Sequence, residues 1–169
     1  RKLRDTASSH DRLFIVEVMG REAGFLAADI ALASGAEYVL IPEIPFDLDK
    51  LCQRLRYARR QGKTHSLIIV AEGVMGAPDL AARLKDTAGY EARVTVLGHI
   101  QRGGSPTAAD AILASKMGAY AVEALLAGKS GVMVCCQNGH MVTRPLPVAW
   151  EEEKIMSEEV LTLIEMLSI

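Results

Sequence analysis

Charged and polar side chains that could bind an anionic ligand follow three short apolar runs of the sequence. Arg21 follows LFIVEV, Glu72 ends SLIIVAE, and His99 and Arg102 belong to VLGHIQR. A guanidinium matches the fork geometry of a phosphate or carboxylate, and an imidazole can donate a hydrogen bond to phosphate. A glutamate accepts hydrogen bonds from hydroxyl groups. These residue types together indicate a ligand with an anionic end and a hydroxylated body, such as a sugar phosphate.

Each of these residues also has a purely structural interpretation. Arg21 could pair with Glu22 in the first turn of a helix, Glu72 could be a solvated loop acid, and His99 could be a hydrogen-bonded structural histidine. Polar residues end strands in many α/β proteins. The combination of all of them, with a glycine beside each, favours a ligand site more than any single residue does.

Apolar runs alternate with helical patterns along the chain. The predicted strands cover residues 13–18, 38–43, 66–72, 93–99, 131–136 and 140–146. The predicted helices cover residues 21–34, 48–61, 78–88 and 157–168, and Ser105 and Pro106 open another that runs to about Ala127. This alternation predicts an α/β fold, a mostly parallel sheet with helices on both faces. Ligands of such sheets bind outside the carboxyl ends of the strands, so we expect the three strand ends to meet at one edge.

Composition restricts the class of partner. The 169 residues carry a formal net charge of −2, which gives no reason to expect nucleic acid or a membrane surface as a partner. No apolar run of the sequence is long enough to span a bilayer. Cys52, Cys135 and Cys136 fit no zinc spacing, and we expect reduced thiols in a cytoplasmic protein.

Four motifs resemble, in the same order, those of the bacterial ATP-dependent 6-phosphofructokinase family: RDTASSH, EVMGREAG, IIVAEG and RVTVLGHIQRGGSPTAAD. That family transfers the γ-phosphoryl group of ATP to the 1-hydroxyl of fructose 6-phosphate, giving fructose 1,6-bisphosphate in glycolysis. The resemblance implies the Rossmann-like α/β fold of a phosphofructokinase. It extends over about residues 1–138 and more loosely to the end. We therefore expect residues 1–169 to be the C-terminal, sugar-phosphate-binding half of such an enzyme.

The resemblance implies a substrate site residue by residue. The implied substrate-binding residues are Met19, Gly20, Arg21, Glu72, His99, Arg102, Arg12 and Arg93. Arg21 is in addition the implied catalytic residue, because it stabilises charge on the phosphoryl group in transfer. Glu72 would hold sugar hydroxyls, and His99 and Arg102 would hold the 6-phosphate.

Two of these arginines belong, by the same resemblance, to a neighbouring subunit of a homotetramer. Arg93 begins a predicted strand, so we expect it at the edge of the sheet opposite the ligand site of its own chain. It and Arg12 are expected to reach the phosphate of another chain across an isologous two-fold interface.

The family also has an effector site between subunits that binds ADP as activator and phosphoenolpyruvate as inhibitor. The residues that match it are Arg4, Gly35, Glu37 and Lys63. Gln61 and Thr64 stand where the family typically has cations, which predicts a weaker positive charge in this pocket.

The glycine-rich nucleotide loop and the Asp-rich loop with the general base and the Mg²⁺ ligands are absent from these residues. ATP and Mg²⁺ are therefore expected to bind mainly outside them, and no metal ligand is assigned here. Residues 1–169 alone are expected to lack kinase activity, because phosphoryl transfer depends on positioning and charge stabilisation together. A pyrophosphate-dependent phosphofructokinase and a non-catalytic sugar-phosphate-binding regulatory relative are the alternatives.

Overall fold

The structure is a computed structural model that describes residues 13–167. The strands are β1 (Leu13–Val18), β2 (Tyr38–Leu40), β3 (Ser66–Ala71), β4 (Ala92–Val96), β5 (Val132–Gln137) and β6 (His140–Pro145). The α-helices are α1 (Phe25–Ser34), α2 (Leu48–Arg60), α3 (Ala77–Ala88), α4 (Ala108–Leu126), α5 (Val148–Glu151) and α6 (Glu158–Leu167). A 3-10 helix, Gly98–Arg102, follows β4. Two compact units divide the described chain, residues 13–103 with 156–167, and residues 104–155.

The first unit contains a four-stranded parallel sheet with the order β2-β3-β1-β4. Its strands alternate with helices, which confirms the predicted α/β fold. β1 lies in the interior, between β3 and β4, and Glu17 on β1 faces Val70 on one side and Val96 on the other. The carboxyl ends of these three strands are therefore neighbours.

Both faces of this sheet are covered by helices, as predicted. On one face α1 and α6 pack over Val16 and Ile69, and on the other α2 and α3 pack over Ile15 and Ile68. Residues that alternate along β1 and β3 thus enter opposite cores, which explains why both strands are apolar over most of their length. Each large aliphatic side chain buried in this way stabilises the fold by about 1.5–3 kcal/mol.

Helix and strand ends differ from the sequence prediction at several places. Asp47 caps α2, since its Oδ1 accepts the backbone N–H of Lys50 at 3.0 Å. The prediction that α1 begins at residue 21 is wrong, because Arg21 has a φ of 53°, outside the helical range. The predicted strands 38–43 and 93–99 are too long. The second of them ends at Val96, and the chain then turns into the 3-10 helix.

The second unit consists of α4, α5 and an antiparallel pair formed by β5 and β6. β5 and β6 form a sheet of their own and do not extend the parallel sheet. The prediction that Ser105 and Pro106 open α4 is wrong, because Thr107 is the N-cap. The Thr107 side chain accepts the backbone N–H of Asp110 at 3.3 Å, and the Asp110 carboxylate accepts the backbone N–H of Thr107 at 2.9 Å. Because of this capping box the helix starts later than the Ser-Pro signal suggested.

Candidate functional site

The candidate site lies at the sheet edge where β3, β1 and β4 end. Two backbone hydrogen bonds prolong the pairing beyond the strands: Glu72 N–H donates to Val18 O at 3.0 Å, and Leu97 N–H donates to Glu17 O at 3.1 Å. The residues that follow the strands therefore start side by side. The edge carries the loop of residues 19–24, the turn that begins at Glu72 and the 3-10 helix.

Glu72 is hydrogen bonded to the loop that follows β1. Its Oε1 accepts the backbone N–H groups of Gly20 and Arg21, at 3.1 and 2.8 Å. The hydrogen bonds from Arg21 and Gly20, and then the charges of Arg102 and Arg21, hold the pKa of the Glu72 carboxyl below its usual range. Glu72 is therefore ionised at neutral pH, and one of its oxygens orients the backbone that carries Arg21.

Arg21 occupies a left-handed backbone conformation and its side chain is exposed. The neighbouring turn approaches it closely, since a Cβ at Gly73 would lie 2.1 Å from the carbonyl oxygen of Arg21. Only glycine fits at position 73 without displacing this loop. The position and direction of the Arg21 side chain therefore depend on three features: its left-handed backbone, the carboxylate of Glu72 and the close approach of Gly73.

His99 and Arg102 lie in the 3-10 helix after β4, and both are exposed. Arg102 contributes to the lowered pKa of the Glu72 carboxyl, so its charge acts at the same edge. Gly104 then turns the chain with a φ of 98°, a conformation that favours glycine. The structure thus brings Met19, Gly20, Arg21, Glu72, His99 and Arg102 to one edge.

Gln101 is a site residue that the sequence did not single out. Its Oε1 accepts the backbone N–H of Met19 at 2.8 Å, across 82 residues of sequence. Gln101 is half-buried whereas its neighbours in the 3-10 helix, Ile100 and Arg102, are exposed. Its place inside the GHIQR motif was the only sequence signal that could have identified it.

Arg93 is not brought to this edge. It is exposed and pairs in register with Phe14, near the start of β1 and β4, so several residues of extended strand separate it from His99. Arg12 and Arg4, the other cations assigned from the sequence, lie outside the described residues.

The remaining residues assigned to an effector site lie near the amino end of the sheet. Glu37 is buried, its Oε2 accepts the backbone N–H of Leu67 at 2.6 Å, and its Oε1 lies 3.6 Å from Nζ of Lys63. Gly35 is the left-handed C-cap of α1. Lys63 and Arg59 both line an open cleft of about 370 Å³, so two cations border this space.

Residues 13–167 contain neither a group of three or more side chains that could hold a metal ion nor a helix that could cross a membrane. No three His, Cys, Asp or Glu side chains of this part lie close enough to hold a metal ion. None of its helices combines the length and apolar character needed to cross a bilayer.

Comparison with known proteins agrees with the fold. The family model described as Phosphofructokinase matches residues 1–125. ATP-dependent 6-phosphofructokinase of Lysinibacillus sphaericus is 52% identical over 168 residues, covering 99% of this chain and 53% of that protein. ATP-dependent 6-phosphofructokinase 1 of Thermus thermophilus is 50% identical over 170 residues, with 99% and 53% covered. The chain thus spans about half the length of the curated relatives it matches.

Solved structures show the same similarity. Pichia pastoris phosphofructokinase in the T-state has a TM-score of 0.79 and 35% identity, over 99% of this chain and 20% of that chain. The pyrophosphate-dependent phosphofructokinase of Marinobacter aquaeolei has a TM-score of 0.78 and 25% identity, over 98% of this chain and 50% of that one. Since a family model matches most of the sequence and the fold similarity extends over nearly all of it, this chain belongs to the phosphofructokinase family.

Proposed function

We propose that this chain supplies the sugar-phosphate site of an ATP-dependent 6-phosphofructokinase. The reaction transfers the γ-phosphoryl group of ATP to the 1-hydroxyl of fructose 6-phosphate and gives fructose 1,6-bisphosphate. One observation carries the proposal: Arg21, His99 and Arg102 lie at the same sheet edge as the ionised carboxylate of Glu72. Relatives about 50% identical over the whole chain are named for this activity.

The roles proposed for these residues follow from their chemistry. His99 and Arg102 are exposed donors on a short 3-10 helix, suited to the 6-phosphate. Arg21 would stabilise charge that develops on the phosphoryl group, because its backbone is fixed before the ligand arrives. Glu72 orients the Arg21 loop through Oε1, and its second oxygen is the proposed acceptor for a sugar hydroxyl.

We also propose that residues 1–169 are the C-terminal half of a longer polypeptide whose other half binds most of ATP and Mg²⁺. The curated relatives, about twice as long, support this. Mg²⁺ would neutralise charge on the transferring phosphate, and the residues of this chain bind and orient the sugar phosphate.

ATP is favoured over pyrophosphate as the phosphoryl donor. The relatives named ATP-dependent are about 50% identical to this chain, whereas the pyrophosphate-dependent enzyme of Marinobacter aquaeolei is 25% identical. This difference in sequence identity supports ATP as the phosphoryl donor.

A homotetramer and an effector site complete the proposal. Arg93, exposed and remote from its own crevice, is suited to the phosphate site of a neighbouring subunit. Lys63, whose Nζ lies 3.6 Å from Oε1 of the buried Glu37, borders an open cleft together with Arg59, and these two cations are suited to the phosphate of ADP or phosphoenolpyruvate. A cytoplasmic location is proposed because all three cysteines lie in the described part and are free thiols.

The test is an assay of the complete polypeptide with fructose 6-phosphate and either ATP or pyrophosphate, reading fructose 1,6-bisphosphate. Turnover with ATP is expected, and residues 1–169 alone should give none. Turnover with pyrophosphate but not with ATP would show that pyrophosphate is the phosphoryl donor. Binding of fructose 6-phosphate without turnover under either condition would indicate the regulatory alternative, and absence of binding would overturn the proposal.

A further inference from the structure

We infer that Gln101 is a positioning residue that fastens the Arg21 loop to the turn bearing His99 and Arg102. The inference rests on the proposed function, because its consequence is read in the binding of fructose 6-phosphate. It assigns to Gln101 no contact with the substrate. Gln101 acts through the backbone N–H of Met19, which its Oε1 accepts at 2.8 Å.

The geometry places the loop between two side-chain acceptors. β1 lies between β3 and β4, and three consecutive backbone N–H groups follow it, at residues 19–21. From the β3 side, Glu72 accepts the second and third. From the β4 side, Gln101 accepts the first. The loop is therefore held from both neighbouring strand ends, and the loss of either acceptor frees one side of it.

The hydrogen bond of Gln101 joins two segments that each carry proposed phosphate ligands. Arg21 lies two residues beyond Met19, while His99 and Arg102 flank Gln101 in the 3-10 helix. If the two segments moved independently, binding of one phosphorylated ligand by both would cost conformational entropy. The hydrogen bond between Gln101 and Met19 restricts their relative motion before the ligand binds, so less entropy is lost on binding. The half-burial of Gln101, between exposed neighbours, shows that its side chain faces the sheet edge.

An amide is better suited to this position than a carboxylate. Glutamate would provide the same acceptor oxygen to the Met19 N–H, but it would add a second negative charge to an edge that already holds ionised Glu72. That charge would weaken the attraction of Arg102 for a phosphate. Glutamine supplies the hydrogen bond without the charge.

The experiment uses three variants of the complete polypeptide. Gln101→Met keeps the length of the side chain and removes the acceptor, Gln101→Glu keeps the acceptor, and Ile100→Ala alters an exposed neighbour on the same turn. Hydrogen–deuterium exchange at the Met19 amide is measured without ligand, by mass spectrometry with electron-transfer fragmentation. KM and kcat for fructose 6-phosphate are measured separately.

In the Gln101→Met variant, the Met19 amide should exchange its hydrogen about tenfold faster than in the unmodified protein. The KM for fructose 6-phosphate should rise about five- to tenfold, with a smaller change in kcat. Gln101→Glu should restore the slow exchange while KM stays high, and Ile100→Ala should change neither exchange nor KM. Unchanged exchange in Gln101→Met would overturn the inference, as would faster exchange with an unchanged KM. Absence of turnover in the unmodified protein would overturn only the proposed function, because the exchange of Met19 requires no substrate.

Discussion

Arg21 combines an exposed cation with a backbone conformation that most residues avoid. Its φ of 53° costs a residue with a Cβ about 1–2 kcal/mol relative to glycine. Glu72 offsets this cost by accepting the backbone N–H groups of Gly20 and Arg21. The presence of arginine where glycine would be less strained suits a residue whose side chain has a function.

Replacement of Arg21 by alanine and by glycine distinguishes the contribution of its side chain from that of its backbone conformation. Both variants should have a lower kcat/KM for fructose 6-phosphate, corresponding to a loss of about 2–4 kcal/mol of transition-state stabilisation, and a lower kcat. Arg21→Gly should be the more stable of the two, because glycine accepts the left-handed conformation. Steady-state kinetics and urea unfolding measure both effects, and an unchanged kcat would remove Arg21 from the catalytic role.

The pKa of Glu72 predicts how the stability of the site depends on pH. Hydrogen bonds from Arg21 and Gly20 lower this pKa in the folded state, so the stabilisation is present above the ordinary value of 4.5. It is lost as pH falls through the lowered folded-state value. Glu72→Gln should therefore reduce the free energy of unfolding near neutral pH, and the difference from the unmodified protein should shrink in acid. Urea unfolding at several pH values measures this difference, and a constant difference would contradict the prediction.

At the level of elements, the site depends on how closely two strand-end loops approach. The turn after β3 passes so near the loop after β1 that a Cβ at Gly73 would lie 2.1 Å from Arg21 O and 3.2 Å from Glu22 Cα. Both obstacles are backbone atoms, which cannot rotate away as a flexible side chain can. The loop after β1 must therefore move if position 73 carries a side chain.

Gly73→Ala should displace Arg21 and lower kcat/KM for fructose 6-phosphate by about a hundredfold, the loss typical of a misplacement near 1 Å. The matched control is Gly118→Ala in α4, where an added Cβ meets no atom within 4 Å. That control should retain kcat/KM, since alanine is also the better helix former. Normal kinetics in Gly73→Ala would show that the loop accommodates the methyl group.

At the level of the whole molecule, one sheet presents cations at both of its ends. Arg21, His99 and Arg102 lie at the carboxyl edge, whereas Arg93 lies near the amino end of β4. Among residues 13–167, β4 is an edge strand of this sheet, and Val94 and Val96 on it are 37% and 49% exposed. The site that we propose to be shared between subunits would use both sets of cations.

Arg93→Ala should raise KM for fructose 6-phosphate with little effect on kcat, provided that sedimentation shows the oligomer intact. Hybrids made from Arg93→Ala and Arg21→Ala subunits test the sharing directly. In an isologous dimer of the two variants, one site lacks both arginines and the other has both. Mixing should therefore restore low-KM turnover that neither variant has alone. If each site uses its own Arg93, mixing restores nothing.

The sequence alone determined most of the fold and the residue types of the site. Apolar runs and helix signals are local, so β1, β3, α2 and α3 were predicted nearly to their ends. The strand-end rule then indicated Arg21, Glu72, His99 and Arg102, because parallel strands deliver their carboxyl ends to one edge.

Tertiary structure alone decided how those residues are held. The contacts of Glu72 with Gly20 and of Gln101 with Met19 cross 52 and 82 residues of sequence, and they exist only because β1 lies between β3 and β4. Strand order and register arise from packing of the whole sheet and leave no local pattern. The left-handed backbone of Arg21, which lies between β1 and α1 and delays the start of α1, also became apparent only in the structure.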